Sequence, residues 1–138
     1  MNRICFLLFT LFFLNSNAQG ILGVWKSIDD ETGEAKSHVK VFEKDGKVYG
    51  KIIKVLNAKS KNPLCKACKG ELKNTPIIGM QIIEELTKED EVYEGGTILN
   101  PSNGKIYKCR LKLEDENTLQ VRGYVAMFYK TQYWQRIN

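Results

Sequence analysis

The chain has 138 residues, 27% of them charged, with a formal net charge of +5, enough length for one domain with an adequate core. The lysines are scattered through candidate strands and loops, with no arginine cluster or repeated aromatic platform. That arrangement argues against a nucleic-acid partner and reads as a solubilising charge. No repeat, linker or low-complexity tract divides the chain.

The first twenty residues, MNRICFLLFTLFFLNSNAQG, have the three parts of a secretory leader. Arg3 supplies the positive region and Ile4 to Leu14 an apolar run too short to span a bilayer as a helix. Ser16 and Ala18 are the small residues an export peptidase reads. Cys5 lies at the wrong end for a lipoprotein signal. Residues 1–18 are therefore expected to be a cleaved signal peptide and residues 19–138 a single domain, periplasmic or secreted, without stable membrane insertion after cleavage. Removal of the leader leaves three cysteines, at 65, 68 and 109.

Beyond the leader, short alternating runs and turn signals replace any helical period. GILGVWKS (20–27) opens the series and the polar turn DDETGE follows. AKSHVKVFEK (35–44) and KVYGKIIKVL (47–56) meet across Asp45-Gly46, a strong hairpin signal. A long loop, 57–76, carries PLCKACKG. Then come IIGMQIIEEL (77–86), VYEGGTILN (92–100), the turn PSNG, KIYKCRLKL (105–113), the turn EDEN, TLQVRGYV (118–125) and YKTQYWQRI (129–137).

Eight strands in series with mostly short connections predict an all-β fold, an eight-stranded antiparallel up-and-down barrel, with a two-sheet sandwich as the rival. In KIYKCRLKL, Tyr107, Cys109, Leu111 and Leu113 share one face and Lys108, Arg110 and Lys112 the other, as a strand with one wet face requires. Leu119, Val121, Gly123 and Val125 share a face in the next strand. Gly50, Gly95, Gly96 and Gly123 inside strands predict bends or bulges.

Catalytic chemistry finds little support. His38 is the only histidine, and no nucleophile elbow or comparable motif points to a partner for it. The carboxylates Glu84, Glu85, Glu89, Asp90 and Glu91 read as a solvated turn; Glu94 is the one with a conceivable inward setting. No catalytic residue, metal site or cofactor is assigned, and the chain reads as non-enzymatic.

Cys65 and Cys68 share a spacing used by redox enzymes, zinc sites and inert staples. A redox pair sits at a helix N-terminus, and here the surroundings are a turn-rich loop. A zinc site lacks its second half unless Cys109 and His38 converge from separate strands. In an oxidising compartment a Cys65–Cys68 disulfide is the expectation, with Cys109 a buried free thiol. Lys66 and Lys69 nearby leave a redox-labile switch as a secondary reading.

Gly23-Val24-Trp25 resembles the Gly-x-Trp signature of lipocalins and related calycins, and Arg136 resembles their basic residue that packs over that tryptophan. The longer series GVWKS, KVYGKIIKV, the CKAC loop followed by IIGMQII, EGGTILNPSNGKIYKCRLKL, LQVRGYV and TQYWQRI is similar to a bacterial secreted family catalogued as domain of unknown function 2147. The resemblance implies a lipocalin-like barrel outside the cytoplasm and a structural clamp of Gly23, Trp25 and Arg136. It carries no settled activity. Phe128, Tyr129 and Tyr133 depart from the smaller or less aromatic residues of that family, so the mouth is expected to differ.

The reading that follows is a barrel binding an apolar or amphipathic small molecule among Tyr49, Tyr93, Tyr107, Cys109, Leu111, Val121 and Gly123. The alternative is a structural or envelope-interaction protein whose side chains fill the barrel; no protein partner is specified. The leader makes a direct prediction. Intact mass after export should correspond to a chain beginning at Gln19, and a product retaining Met1 to Ala18 would overturn the secreted assignment.

Overall fold

The computed structural model describes residues 20–138; the leader expected at 1–18 lies outside the described residues. Eight strands form a closed antiparallel barrel in simple chain order. They are β1 (Gly23–Ile28), β2 (Ala35–Lys44), β3 (Lys47–Val55), β4 (Gln81–Glu89), β5 (Val92–Asn100), β6 (Lys105–Asp115), β7 (Thr118–Val125) and β8 (Phe128–Ile137). Closure, with β1 hydrogen-bonded to β8, sets the sandwich aside. It also removes the unpaired edges that an open sheet would present.

The hairpins follow from local chemistry. Asp45 and Gly46, both at positive φ, make the two-residue turn between Lys44 and Lys47, the geometry whose twist matches that of the flanking strands. Asp90 and Ala126 take positive φ in two further two-residue turns, at 90–91 and 126–127. In the β1–β2 loop, the Asp29 carboxylate accepts the backbone N–H groups of Glu31 and Thr32. Those bonds hold its pKa below the usual carboxylate value.

Several boundaries differ from expectation. The segment 77–80 is not strand: Gly79 has φ +91 and its N–H donates to the Ile52 carbonyl, while the Ile52 N–H donates to the Met80 carbonyl. The chain grips β3 there and turns before β4 begins at Gln81. At its other end β4 runs on to Glu89, paired with Val92, so only Asp90 and Glu91 form the turn. β1 likewise starts at Gly23, and residues 20–22 pass beneath the barrel with Ile21 buried.

The strand glycines divide into two kinds. Register shifts occur at Gly50 in the β3–β4 pairing and between Tyr93 and Gly96 in the β5–β6 pairing, so these glycines sit at bulges. A side chain at Gly96 would collide with the Glu84 carbonyl of the neighbouring strand. Gly123 lies in unbroken register. A Cβ there would sit 3.2 Å from the Tyr107 Cβ, and the glycine thus makes room for a ring.

Simple up-and-down order places alternate connections at opposite ends. One end holds the turns at 45–46, 90–91 and 116–117 and residues 20–22. There Trp25 is fully buried and its indole N–H donates to the Ile21 carbonyl, 2.8 Å away. The Arg136 guanidinium stands 4.2 Å from the Trp25 ring. Arg136 also donates to the carbonyls of Glu116, Leu22 and Gly20 at 2.6, 3.1 and 2.7 Å. Gly23, with φ +131, admits this group, since a Cβ would come within 3.0 Å of Arg136 Nη1. Val39, Val41, Leu86, Leu111 and Leu119 fill the interior at this end.

Two predictions follow from this half of the barrel. Trp25→Ala should cost about 3–5 kcal/mol through lost packing, and Arg136→Ala should cost less through the same site. A double-mutant cycle by denaturant unfolding should show clear non-additivity, and strict additivity would separate the two side chains energetically. Cys109 is buried, and burial pushes its thiol up to about 12. It should resist maleimide in the folded protein at neutral pH and react fully on unfolding; rapid labelling of the native state would contradict its burial.

Candidate functional site

The other end is formed by the β1–β2 loop, the long β3–β4 loop, the turn at 101–104 and the β7–β8 turn. Here the barrel opens into a cavity of about 550 Å³. The large apolar side chains of its wall are Ile52 of β3, Ile82 of β4, Ile98 of β5, Tyr107 of β6, Val121 of β7 and Trp134 of β8. Each belongs to a different strand; the pleat directs them inward, except that Ile82 turns in beside the buried Ile83 through the register shift of the β3–β4 pairing. The size lies within the range usual for small-molecule sites, as does an apolar body with a few polar groups.

Polar groups are ordered around the wall and rim. Ser27 and Ser37, both buried, share a hydroxyl–hydroxyl hydrogen bond of 2.8 Å across the β1–β2 pair. The Trp134 indole N–H donates to Gln132 Oε1 at 2.9 Å, and Gln132 Nε2 donates to Asp30 at 3.3 Å. Lys130 Nζ donates to Glu31 Oε1 at 3.1 Å. That bond holds the lysine's pKa above its usual value. These contacts tie the acidic β1–β2 loop to β8 along one side of the mouth. Tyr107 Oη accepts from Asn103 Nδ2 at 3.0 Å on another side.

The long loop is ordered around its cysteines. Cys65 and Cys68 form a disulfide, with Cα atoms 5.3 Å apart. Leu64 and Pro76 form an isolated bridge, the Cys65 N–H donates to the Thr75 carbonyl, and the Asn74 N–H donates to the Cys65 carbonyl. The Ala67 carbonyl lies against Gly104, where a Cβ would collide with it. Leu56 and Ile77, at the ends of the loop, line the cavity.

Of the residues read from sequence as an interior site, Tyr107, Val121 and Gly123 border the cavity. Gly123 does so by accommodating the Tyr107 ring rather than by leaving empty space. Cys109 and Leu111 face inward but are buried in the packed half, outside the cavity lining. Tyr93, in register with Leu111, is half-buried against that same core. Tyr49 corrects the expectation outright. It pairs with Phe42 and stacks on it at 5.8 Å on the outer face, because Val48, Gly50 and Ile52 take the inward positions of β3.

Trp134, Ile52, Ile82, Ile98 and Gln132 were not singled out from sequence. A signal for two of them existed. Arg136 faces inward over Trp25, so period-two alternation puts Trp134, Gln132 and Lys130 on the inner face of β8 and Tyr133 and Tyr129 outside. The isoleucines gave no such signal, since Ile52-Ile53 and Ile82-Ile83 are doubled and either member fits either face.

The titratable groups weighed from sequence for catalysis or metal binding lie away from the cavity. His38 lies on the outer face of β2 between Lys26 and Lys54. Burial first, then the two lysine charges, hold its pKa below the usual value. Its position on the outer face puts it on the opposite side of the sheet from Ser27, Ser37 and the inward Cys109. With Cys65 and Cys68 bonded to each other, the zinc alternative loses both loop thiolates. Glu94 adjoins the β5 bulge and does not border the cavity. Among the described residues, no cluster of three or more His, Cys, Asp or Glu side chains could hold a metal ion.

Comparison with known proteins agrees with this architecture. The chain is similar to the solved structure of protein HP1028 from the human pathogen Helicobacter pylori, which belongs to the lipocalin family. The TM-score is 0.74 and the identity 24%, over 85% of this chain and 82% of that one. At that identity the likeness concerns the fold. No curated protein matches the chain. The profile of the family described as "uncharacterized protein conserved in bacteria", domain of unknown function 2147, matches residues 23–136, and the chain belongs to that family, whose barrel here is lipocalin-like.

Proposed function

We propose that the protein is a non-catalytic carrier of a small amphipathic molecule, acting in the periplasm or outside the cell after cleavage of its leader. The observation that carries this reading is the one-ended cavity of about 550 Å³, apolar within and polar at its rim. An occupant would place its apolar body against Ile52, Ile98, Val121 and Trp134, and its polar end beside Lys36, Lys130 and the Asp29–Glu31 loop. Binding in lipocalins as a fold class is compatible with this use of the barrel. The Cys65–Cys68 disulfide supports an oxidising compartment.

Energetics set the scale. Burying about 300 Å² of apolar ligand surface contributes about 7 kcal/mol before the cost of association, enough for weak to micromolar affinity without a catalytic group. The competing view, a barrel filled by its own side chains as a structural element, suits the packed half around Trp25. It gives no account of the open half.

Displacement of an environment-sensitive apolar dye tests the proposal. Wild type should bind the dye, and Ile77→Trp or Val121→Phe, which add volume inside the cavity, should weaken binding about tenfold while retaining the cooperative unfolding transition. Gly123→Trp is a poorer probe because it would displace the Tyr107 ring. Native mass spectrometry of protein from its own host should show a retained small molecule. Absence of any apolar probe binding by folded wild type would leave the filled, structural barrel in its place.

A further inference from the structure

The β7–β8 hairpin ends in a tip that no other part of the described chain covers. Met127 is 89% exposed and Phe128 76%, with Val125 and Tyr129 also exposed beside them. Burial of large apolar side chains is favourable, and two consecutive ones projecting from a two-residue turn do nothing for the barrel's own stability.

Behind the tip, the strand register assembles a face that is not visible in the linear sequence. On the outer side of β6, β7 and β8, Lys108, Tyr124 and Tyr129 lie in one row, Arg110, Arg122 and Thr131 in the next, and Lys112, Gln120 and Tyr133 in a third. The Tyr124 and Tyr129 rings are 5.7 Å apart. The Arg122 guanidinium lies 4.8 Å from the Tyr129 ring and donates to Thr131 Oγ1. None of these three rows contains a carboxylate. The nearest acids are Glu31, already paired with Lys130, Glu114, which accepts from Gln120, and Glu89 and Glu94, which border one surface pocket with Lys108, Arg110 and Tyr124 and partly offset their charge.

An apolar tip backed by a row of two tyrosines and a lysine, and then by a pair of arginines, matches the groups a bilayer surface offers: acyl chains, the interfacial zone and anionic headgroups. We infer that the β7–β8 hairpin docks the protein reversibly on an anionic phospholipid surface, Met127 and Phe128 entering the headgroup boundary while Lys108, Arg110 and Arg122 meet lipid phosphates. A nucleic-acid strand would use the cations and tyrosines but has no use for the apolar tip, and the rings of Tyr124 and Tyr129 are engaged with each other and with Arg122.

The position of the tip matters. Lys130, three residues beyond Met127, lines the cavity, so the docked hairpin brings the mouth to the lipid surface. Docking does not depend on the carrier reading; passage of an amphipathic molecule from the bilayer into the barrel would depend on both. Five lysines of the 57–76 segment, Lys59, Lys61, Lys66, Lys69 and Lys73, are exposed at the same end against one carboxylate, Glu71. The acidic Asp29–Glu34 loop limits the attraction on the side nearest β1.

Co-sedimentation with vesicles tests the inference, using exported protein whose processed N-terminus has been checked by mass so that the leader contributes nothing. Wild type should bind vesicles of phosphatidylcholine mixed with phosphatidylglycerol, more weakly as salt rises, and bind pure phosphatidylcholine vesicles poorly. Met127→Ser with Phe128→Ser, and separately Lys108→Gln with Arg110→Gln, should each weaken binding by about tenfold or more, with unchanged thermal unfolding and unchanged dye binding in the cavity. Failure of wild type to bind the mixed vesicles would overturn the inference, as would binding that the Met127/Phe128 double variant leaves intact. Binding to a single-stranded oligonucleotide in place of vesicles would also overturn it. Loss of dye binding with vesicle binding preserved would instead count against the carrier function alone.

Discussion

Everything in this fold depends on closing the seam between β1 and β8. The other seven pairings join strands that follow one another in sequence, and each can form from its own turn or loop. The seam joins the two ends of the domain, through Val24 with Ile137, Trp25 with Arg136 and Lys26 with Gln135. Its backbone pairing is short, and side chains do the rest. Arg136 covers the Trp25 ring, a contact of about 0.5–2 kcal/mol, and ties the carbonyls of Gly20, Leu22 and Glu116 together beneath the barrel. A glycine is needed at 23 for both its φ and its space. Gly23, Trp25 and Arg136 are thus one device: the ring supplies the surface, the guanidinium the closure, and the missing Cβ the room.

Closure at one end leaves the other end free to differ. Large inward side chains fill the barrel around Trp25. Toward the opposite rim, the inward side chains leave the cavity between them, and the loops there are ordered by their own internal hydrogen bonds. The β1–β2 loop is fixed by Asp29 and tied to Gln132 and Lys130 of β8. The long loop is folded back on itself through the Leu64–Pro76 bridge and cross-linked at Cys65 and Cys68. A loop of that length would otherwise have many conformations, including ones that occlude the mouth. Constraining it keeps Leu56 and Ile77 as wall and the cavity accessible.

The outer surface adds a second asymmetry. The same β6–β8 strands that carry Tyr107, Val121 and Trp134 inward carry Lys108, Arg110, Arg122, Tyr124 and Tyr129 outward, because the pleat alternates. A cavity wall and a basic, tyrosine-rich exterior are therefore two faces of one set of strands. They meet at the hairpin of Met127 and Phe128, beside the mouth. The cavity and the proposed membrane-docking tip are coupled by geometry even though each can be tested without the other.

Much of the fold was legible in sequence. Period-two alternation located all eight strands and Asp45-Gly46 placed a hairpin, both signals of local sterics and single-residue chemistry that the chain carries with it. The seam was marked differently, by the resemblance of Gly23-Val24-Trp25 and Arg136 to the calycin signature. The site was less legible. Alternation puts Tyr107 and Val121 on inward faces, and both border the cavity; Tyr49 faces outward because Val48, Gly50 and Ile52 take the inward positions of β3, and the doubled isoleucines left that face undecided in sequence. Gly79 ended a run that looked like strand. Which inward residues pack and which border space depends on how side chains from different strands meet inside the barrel, and the meeting of Arg110 with Arg122 depends on register between strands. Sequence alone determined the elements and their order; packing across the interior and cross-strand register, which arise only when all eight strands close together, decided where the cavity and the basic face would be.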